Sequence, residues 1–278
     1  MSIVRSLTKN FSSLVSDQIP DTTKMTWQNI KYKTDNRSFP SSYPSFPLPP
    51  DELLFETGQI NYHWYLKSGR EAAAECFAFF QAFHPSPAKT VLDWGCGVGR
   101  VTRHLPDFFP EAKITGIDMN QKAVEWLQQH IPNTQFLLAS DIHSPFSTPF
   151  DLVIGTSVLT HLPADQQSSS LLQLKDWLAP HGIACISTRG KYYYPELSTR
   201  QLHQLNSTGL LTCGASTPGS RGMRTYHTPP CLQQVLPPDL EVLLYYDGKQ
   251  FHGILGGQDL WILQKKTQQV SPTALKIQ

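Results

Sequence analysis

The stretch "TVLDWGCGVGR", Thr90 to Arg100, decides how the rest of the chain is read. Val91 and Leu92 read as the end of a buried parallel strand, because a strand covered on both faces is apolar without alternation. Gly95, Gly97 and Gly99 then follow at alternate positions. Glycine costs conformational entropy in an ordered segment, so a cluster calls for positive φ or for close approach of the backbone to another group. The continuation, "VGRVTRHLPDFF", has helical spacing with Val98, Val101, Leu105 and Phe108 on one side. A strand, a tight glycine turn and a helix N-terminus together let a small molecule lie against bare backbone, as in nucleotide-binding α/β folds.

Working outward, the chain alternates as a parallel α/β protein does. "TVLDW", "KITGID", "TQFLLAS", "FDLVIGTS" and "GIACIST" read as five strands with helices between them. The helix beginning near Asn120 has Ala123, Val124, Leu127 and Ile131 on one face, and the one near Ala164 runs through Leu171, Leu172, Leu174 and Leu178. "LEVLLYYDG" and "GGQDLWILQK" read as an antiparallel hairpin closing the sheet. The expected fold class is therefore α/β: a Rossmann-like doubly wound sheet, mostly parallel, with a C-terminal antiparallel hairpin and an N-terminal helical lid. Residues 1–50, ending in the proline-rich "RSFPSSYPSFPLPPDE", are expected to form an extended, partly disordered arm. Residues 51–87 form a helical lid segment, with "SGREAAAECFAFFQAF" a buried helix, and 88–278 the main domain, in which 191–238 is an acceptor-side insertion.

Composition narrows the function. The 278 residues are 40% hydrophobic, enough for a substantial core, and 23 Lys and Arg balance 22 Asp and Glu. That balance gives no overall pull toward nucleic acid or an anionic membrane. No stretch has the apolar length of a membrane span, and the N-terminus is too polar for the core of a secretion signal. Cys76, Cys96, Cys185, Cys213 and Cys231 are scattered, which fits free thiols in the cytoplasm; neither they nor the ten histidines show metal-ligand spacing, so no metal site is expected.

The glycine pattern is G-x-G-x-G, not the G-x-G-x-x-G of a dinucleotide fold, which argues against a hydride-transferring dehydrogenase. With Asp93 two residues before the first glycine, it resembles motif I of the class I S-adenosylmethionine-dependent methyltransferases, and the resemblance is strong over about residues 88 to 190. It implies S-adenosylmethionine as cofactor, bound through Asp93, Gly95, Cys96 and Gly97. Asp118 closes the second strand, where a carboxylate can receive ribose hydroxyls. In the family an acid after the third strand accepts from the adenine amino group, here Asp141, with Met119 and Ile142 covering the base and Thr156 following the fourth strand. "WLAPHGIACI" is similar to the family's L-x-P-G-G with His181 in place of a glycine, and the family order inserts the last strand between the fifth and sixth. The implied activity is methyl transfer to a small-molecule acceptor, at a hydroxyl oxygen.

His161, just beyond the fourth strand, is the candidate base for such an acceptor, with packing at the helix entrance as its other reading. Tyr192, Tyr193 and Tyr194 are candidates to line the acceptor pocket, and Tyr62, His63, Trp64 and Tyr65 to form the lid. A noncatalytic S-adenosylmethionine-binding module, or a methyltransferase acting on a protein or nucleic acid, stays open at this stage; no D/N-P-P-Y/F/W element follows the fourth strand. The sequence gives no oligomeric state.

Overall fold

Five apolar runs spaced by helices become the parallel half of a seven-stranded sheet. The computed structural model describes residues 19–139, 146–214, 217–250 and 256–266. In chain order the elements are helices α1 (Asp21–Ser42), α2 (Asp51–Thr57) and α3 (Tyr62–Phe83), strand β1 (Thr90–Trp94), α4 (Leu105–Phe108), β2 (Lys113–Asp118), α5 (Gln121–His130), β3 (Gln135–Leu138) and β4 (Phe150–Gly155). They continue with α6 (Gln167–Trp177), β5 (Leu178–Thr188), α7 (Thr199–Thr208), β6 (Leu210–Gly214), β7 (Met223–His227), α8 (Pro229–Val235), β8 (Leu240–Tyr246) and β9 (Asp259–Lys265). The sheet order is β3-β2-β1-β4-β5-β9-β8, and β6 and β7 form a separate antiparallel pair. The first five strands run parallel, and β9 lies antiparallel between β5 and β8, as the family resemblance implies.

Period-two alternation distributes the core over both sheet faces. Leu92, Val153, Ala184, Ile186 and Trp261 pack with Leu171, Leu174 and Trp177 of α6 on one face. Val91, Leu152, Ile154, Ile183, Cys185 and Ile262 pack with Ala72, Ala73, Cys76 and Phe80 of α3 on the other. Each fully buried Leu, Ile or Val contributes roughly 1.5–3 kcal/mol by leaving water. Among the described residues, no helix is long and apolar enough to cross a membrane.

Two local expectations are corrected. Residues 21–42 of the expected extended arm are a helix, with Pro40 tolerated in its last turns. It is held by tertiary contacts rather than by an apolar stripe: Gln28 Oε1 accepts from Ile60 N at 2.8 Å, Asn36 Nδ2 donates to Ile60 O at 2.9 Å, and buried Phe39 packs against Tyr62 and His63. The run after the glycines is not one helix but a turn, a 3-10 turn over Thr102–His104 and the short α4, although Val98, Val101 and Leu105 are buried as expected. The lid segment breaks into α2 and α3 at Gly58, whose φ of 142° favours glycine.

Candidate functional site

The carboxyl ends of β1, β2 and β4 open onto a cavity of about 370 Å³. The glycine motif forms one wall. Gly95 and Gly97 have φ of 69° and 55°, a region that side chains rarely adopt. A Cβ on Gly95 would stand 2.6 Å from Val158 Cγ2, and one on Gly97 3.0 Å from Thr57 Cγ2. The loop's amides are spent within the protein: Gly95 N and Cys96 N donate to Ile117 O, Gly97 N to Asp118 Oδ2 at 2.7 Å, and Gly99 N to Cys96 O. These four N–H groups are therefore not free for a ligand.

Asp118 sits at the end of β2 with both carboxylate oxygens engaged, Oδ2 by Gly97 N and Oδ1 by Asn120 N at 2.8 Å. Each oxygen keeps a second lone pair, so the carboxylate can still receive hydroxyls from the cavity. Burial raises its pKa, opposed by those backbone bonds. Asp93 is buried on β1, accepts the Thr102 hydroxyl and is pushed up to about 6, chiefly by burial. Burial also holds the Cys96 thiol well above its usual range, so Cys96 is a packing residue of the wall rather than a nucleophile. Met119 is exposed on the rim, its sulfur beside Gly219, and presents an apolar surface for a flat ring. Asp141 and Ile142 lie outside the described residues.

Beyond β4, Thr156, Ser157, Val158 and His161 line the cavity. Ser157 has a φ of 64°, and this strained position is fixed by Ser187 Oγ on its N–H and Gln258 Nε2 on its hydroxyl. His161 Nδ1 lies 2.8 Å from Met223 O. A carbonyl accepts only from N–H, so Nδ1 carries the proton and Nε2 the lone pair in the neutral ring. Burial lowers the ring's pKa; backbone groups of Met223 and Ser220 oppose it, and Arg189 and Arg221 add to the lowering. The turn bearing His161 is itself clamped, with Gly219 N donating to His161 O and Gln167 Nε2 to both Leu159 O and Leu162 O.

Two groups of aromatics take other places than expected. Tyr193 and Tyr194 spend their hydroxyls on Gly256 O and His227 O, and Tyr192 packs on Tyr193, so the cluster fastens its loop to neighbouring strands and does not line the cavity. Tyr62, His63, Trp64 and Tyr65 do not line it either. Tyr65 is fully buried and donates to Val98 O at 2.7 Å, bracing the glycine loop from behind, while Tyr62 reaches Asp51 and His63 reaches Ser38. The N-terminal helices contribute instead through Leu53, Glu56 and Thr57 of α2. Arg221 ties that helix to the 217–223 loop, donating to Phe55 O at 2.9 Å and stacking on the Phe55 ring. Sequence reasoning also passed over Arg100, Gln166, Ser170 and Gln173; the last three recur at helical spacing, a signal present in the sequence.

A doubly wound sheet with a glycine turn after its first strand, an acid after its second and a cavity at the carboxyl edge defines a nucleotide-cofactor-binding α/β protein. Residues 91–182 match the family described as "Methyltransferase domain". Among curated proteins the chain is 31% identical over 117 residues to a malonyl-[acyl-carrier protein] O-methyltransferase of Halalkalibacterium halodurans, covering 39% of this chain and 42% of that one. It is 29% identical over 108 residues to a trans-aconitate 2-methyltransferase of Azoarcus sp., again covering 39% and 42%. The chain thus spans less than half the length of these two relatives. Among solved structures, the amino pentose methyltransferase CalS10 of Micromonospora echinaspora has a TM-score of 0.54 at 16% identity, covering 71% of this chain and 92% of that one. A methyltransferase of Methanosarcina mazei has a TM-score of 0.51 at 19% identity, covering 68% and 97%. At such identities the structures speak for the fold.

Proposed function

We propose that the protein transfers a methyl group from S-adenosylmethionine to a small-molecule acceptor, at a hydroxyl oxygen. The observation that carries this reading is Asp118, whose carboxylate braces the glycine turn and still faces the cavity where a ribose diol needs an acceptor. The remaining lining fits the cofactor: Glu56, Asp93 and Asp118 give a negative surround for a cationic ligand, and exposed Met119 covers one side of the base position. Asp141 and Ile142 are proposed to complete the adenine site, and Cys96 and Thr156 to form its floor and the edge near the reacting atoms.

When bound, the cofactor supplies a methyl group on sulfonium, already a strong electrophile, so the protein's work is alignment and exclusion of water. Leu53, Val158, Leu162 and Trp177 give the cavity its apolar walls, and α2 with the clasped 217–223 loop forms the lid. His161 receives the acceptor's proton on Nε2, since its lowered pKa keeps the ring neutral at physiological pH and Met223 fixes the tautomer. The Halalkalibacterium relative is an O-methyltransferase by name, which supports oxygen as the acceptor atom. With S-adenosylmethionine and a panel of small hydroxylated compounds, the protein is expected to form S-adenosylhomocysteine. His161→Ala should lower the single-turnover rate roughly 10²- to 10⁴-fold with cofactor affinity retained. A joint loss of melting temperature and affinity without a selective fall in the chemical step would make His161 a packing residue.

A further inference from the structure

The face that α3 turns toward the sheet carries Ala72, Glu75, Cys76 and Phe79 at positions i, i+3, i+4 and i+7. Packing alone would make such a stripe apolar throughout, and Glu75 breaks it. With Thr156 beyond β4, Cys185 of β5 and Leu260 of β9, these four residues enclose a void of about 10 Å³, room for no more than about one water. Glu75 Oε2 is buried and has no hydrogen-bond partner among the described residues. A buried carboxylate oxygen without a donor is costly, so stability does not account for the residue. Thr156 lines both this void and the main cavity, which places Glu75 one residue behind the cavity wall.

The surroundings leave Glu75 without a cation. Burial, and after it Glu71 one turn earlier, raise its pKa to about 7, and Glu71 is itself 3.8 Å from Lys67. Cys76 and Cys185, the other titratable groups at the void, are free thiols, and Thr156 and Leu260 bring no charge; Asp93 and Arg100 act on Cys76 from the side of the glycine turn. S-adenosylmethionine carries a sulfonium charge, whereas the S-adenosylhomocysteine left after transfer has a neutral thioether in its place. A positive charge one residue away favours the ionised carboxyl and sends its proton to solvent, and by reciprocity the ionised carboxyl favours the positive ligand. We propose that Glu75, unpaired behind Thr156, tells the sulfonium of S-adenosylmethionine from the thioether of the product, favouring entry of the first and exit of the second. The assignment rests on the cofactor reading above and adds to it the residue that separates the two forms of the cofactor.

The test is calorimetry with S-adenosylmethionine and S-adenosylhomocysteine on wild type and Glu75→Gln, at pH 5.5 and pH 8. Glutamine copies the protonated carboxyl, while titration of Asp93, of Asp118 and of the ligands' own amines is common to both proteins. The quantity read is therefore the preference for S-adenosylmethionine in wild type divided by that in Glu75→Gln. It should be close to one at pH 5.5, where both side chains are neutral, and about 3- to 10-fold at pH 8, the scale of two unit charges roughly 10 Å apart at an effective dielectric of about 20 or more. A quotient that does not change between the two pH values overturns the assignment and leaves the cofactor reading intact. Wild type that binds neither ligand overturns that reading and this one with it. Should Glu75→Gln fail to fold, wild type decides at pH 7 in two buffers of different ionisation enthalpy: S-adenosylmethionine should release more protons on binding than S-adenosylhomocysteine, and equal release by both refutes the linkage.

Discussion

His227, buried on β7, shows how single side chains hold the site together. Gln167 donates its amide to Leu159 O and Leu162 O, so its Oε1 must accept from His227 Nε2 at 3.1 Å, and His227 Nδ1 is left buried without a partner among the described residues. Burial pushes the His227 pKa down from an ordinary 6.5 to about 3. The unfolded chain therefore takes up a proton near pH 6.5 that the folded one refuses. Stability contributed by this neutral ring is present above pH 6.5 and is lost as pH falls toward 3, by up to about 1.4 kcal/mol per pH unit. A His227→Asn protein lacks that titration, so the stability gap between wild type and variant should narrow as denaturation is repeated from pH 7 down to pH 4. Parallel pH curves for the two would contradict the buried-neutral assignment. Residues of this kind differ in legibility. The place of Asp118 on the cavity can be read from sequence because the end of the second strand falls at the carboxyl edge of such a sheet. Arg100 stands in the same quoted motif, yet nothing in its spacing says whether the guanidinium turns to solvent or inward. The left-handed φ of Ser157 is invisible, because serine at that position carries no sign of it.

Among the elements, the five parallel strands follow from their apolar runs, because burial on both faces leaves β-branched and aromatic residues few other places to go. Helix α1 does not. Trp27 and Ile30 point to solvent, 59% and 70% exposed, so no stripe at helical period marks its buried side. Its docking depends on amide side chains reading the backbone of residues 58–62, chiefly Gln28 and Asn36 on Ile60. Gln28→Leu keeps the volume but strands the Ile60 N–H, and is expected to cost about 1–3 kcal/mol in urea denaturation. Ile30→Ala, on the exposed face, should stay within about 0.5 kcal/mol. Equal effects of the two would mean that α1 is held by something other than those amides. The tyrosines after β5 teach the converse: an aromatic cluster next to a ligand edge reads as a pocket wall, and only the hydroxyl partners Gly256 and His227 show that it is a fastening.

Across the whole molecule, the strand order places the carboxyl ends of β1, β2 and β4 side by side, and α2 and the 217–223 loop, joined by Arg221, line the cavity over them. On the proposed reading the strand ends hold the cofactor, while the parts that would choose an acceptor come from α2, the turn at His161 and the loop at Gly219. Those parts are least legible because connecting segments answer to no periodicity. The central claim is that this edge holds S-adenosylmethionine with its ribose on Asp118. The most direct measurement is calorimetric titration of S-adenosylhomocysteine into wild type and Asp118→Ala, with circular dichroism to establish that both are folded. Saturable binding by wild type, weakened in the variant by roughly 1.5–3 kcal/mol, is the result the account predicts. Absence of binding to wild type, or unchanged affinity in a folded Asp118→Ala protein, would contradict it.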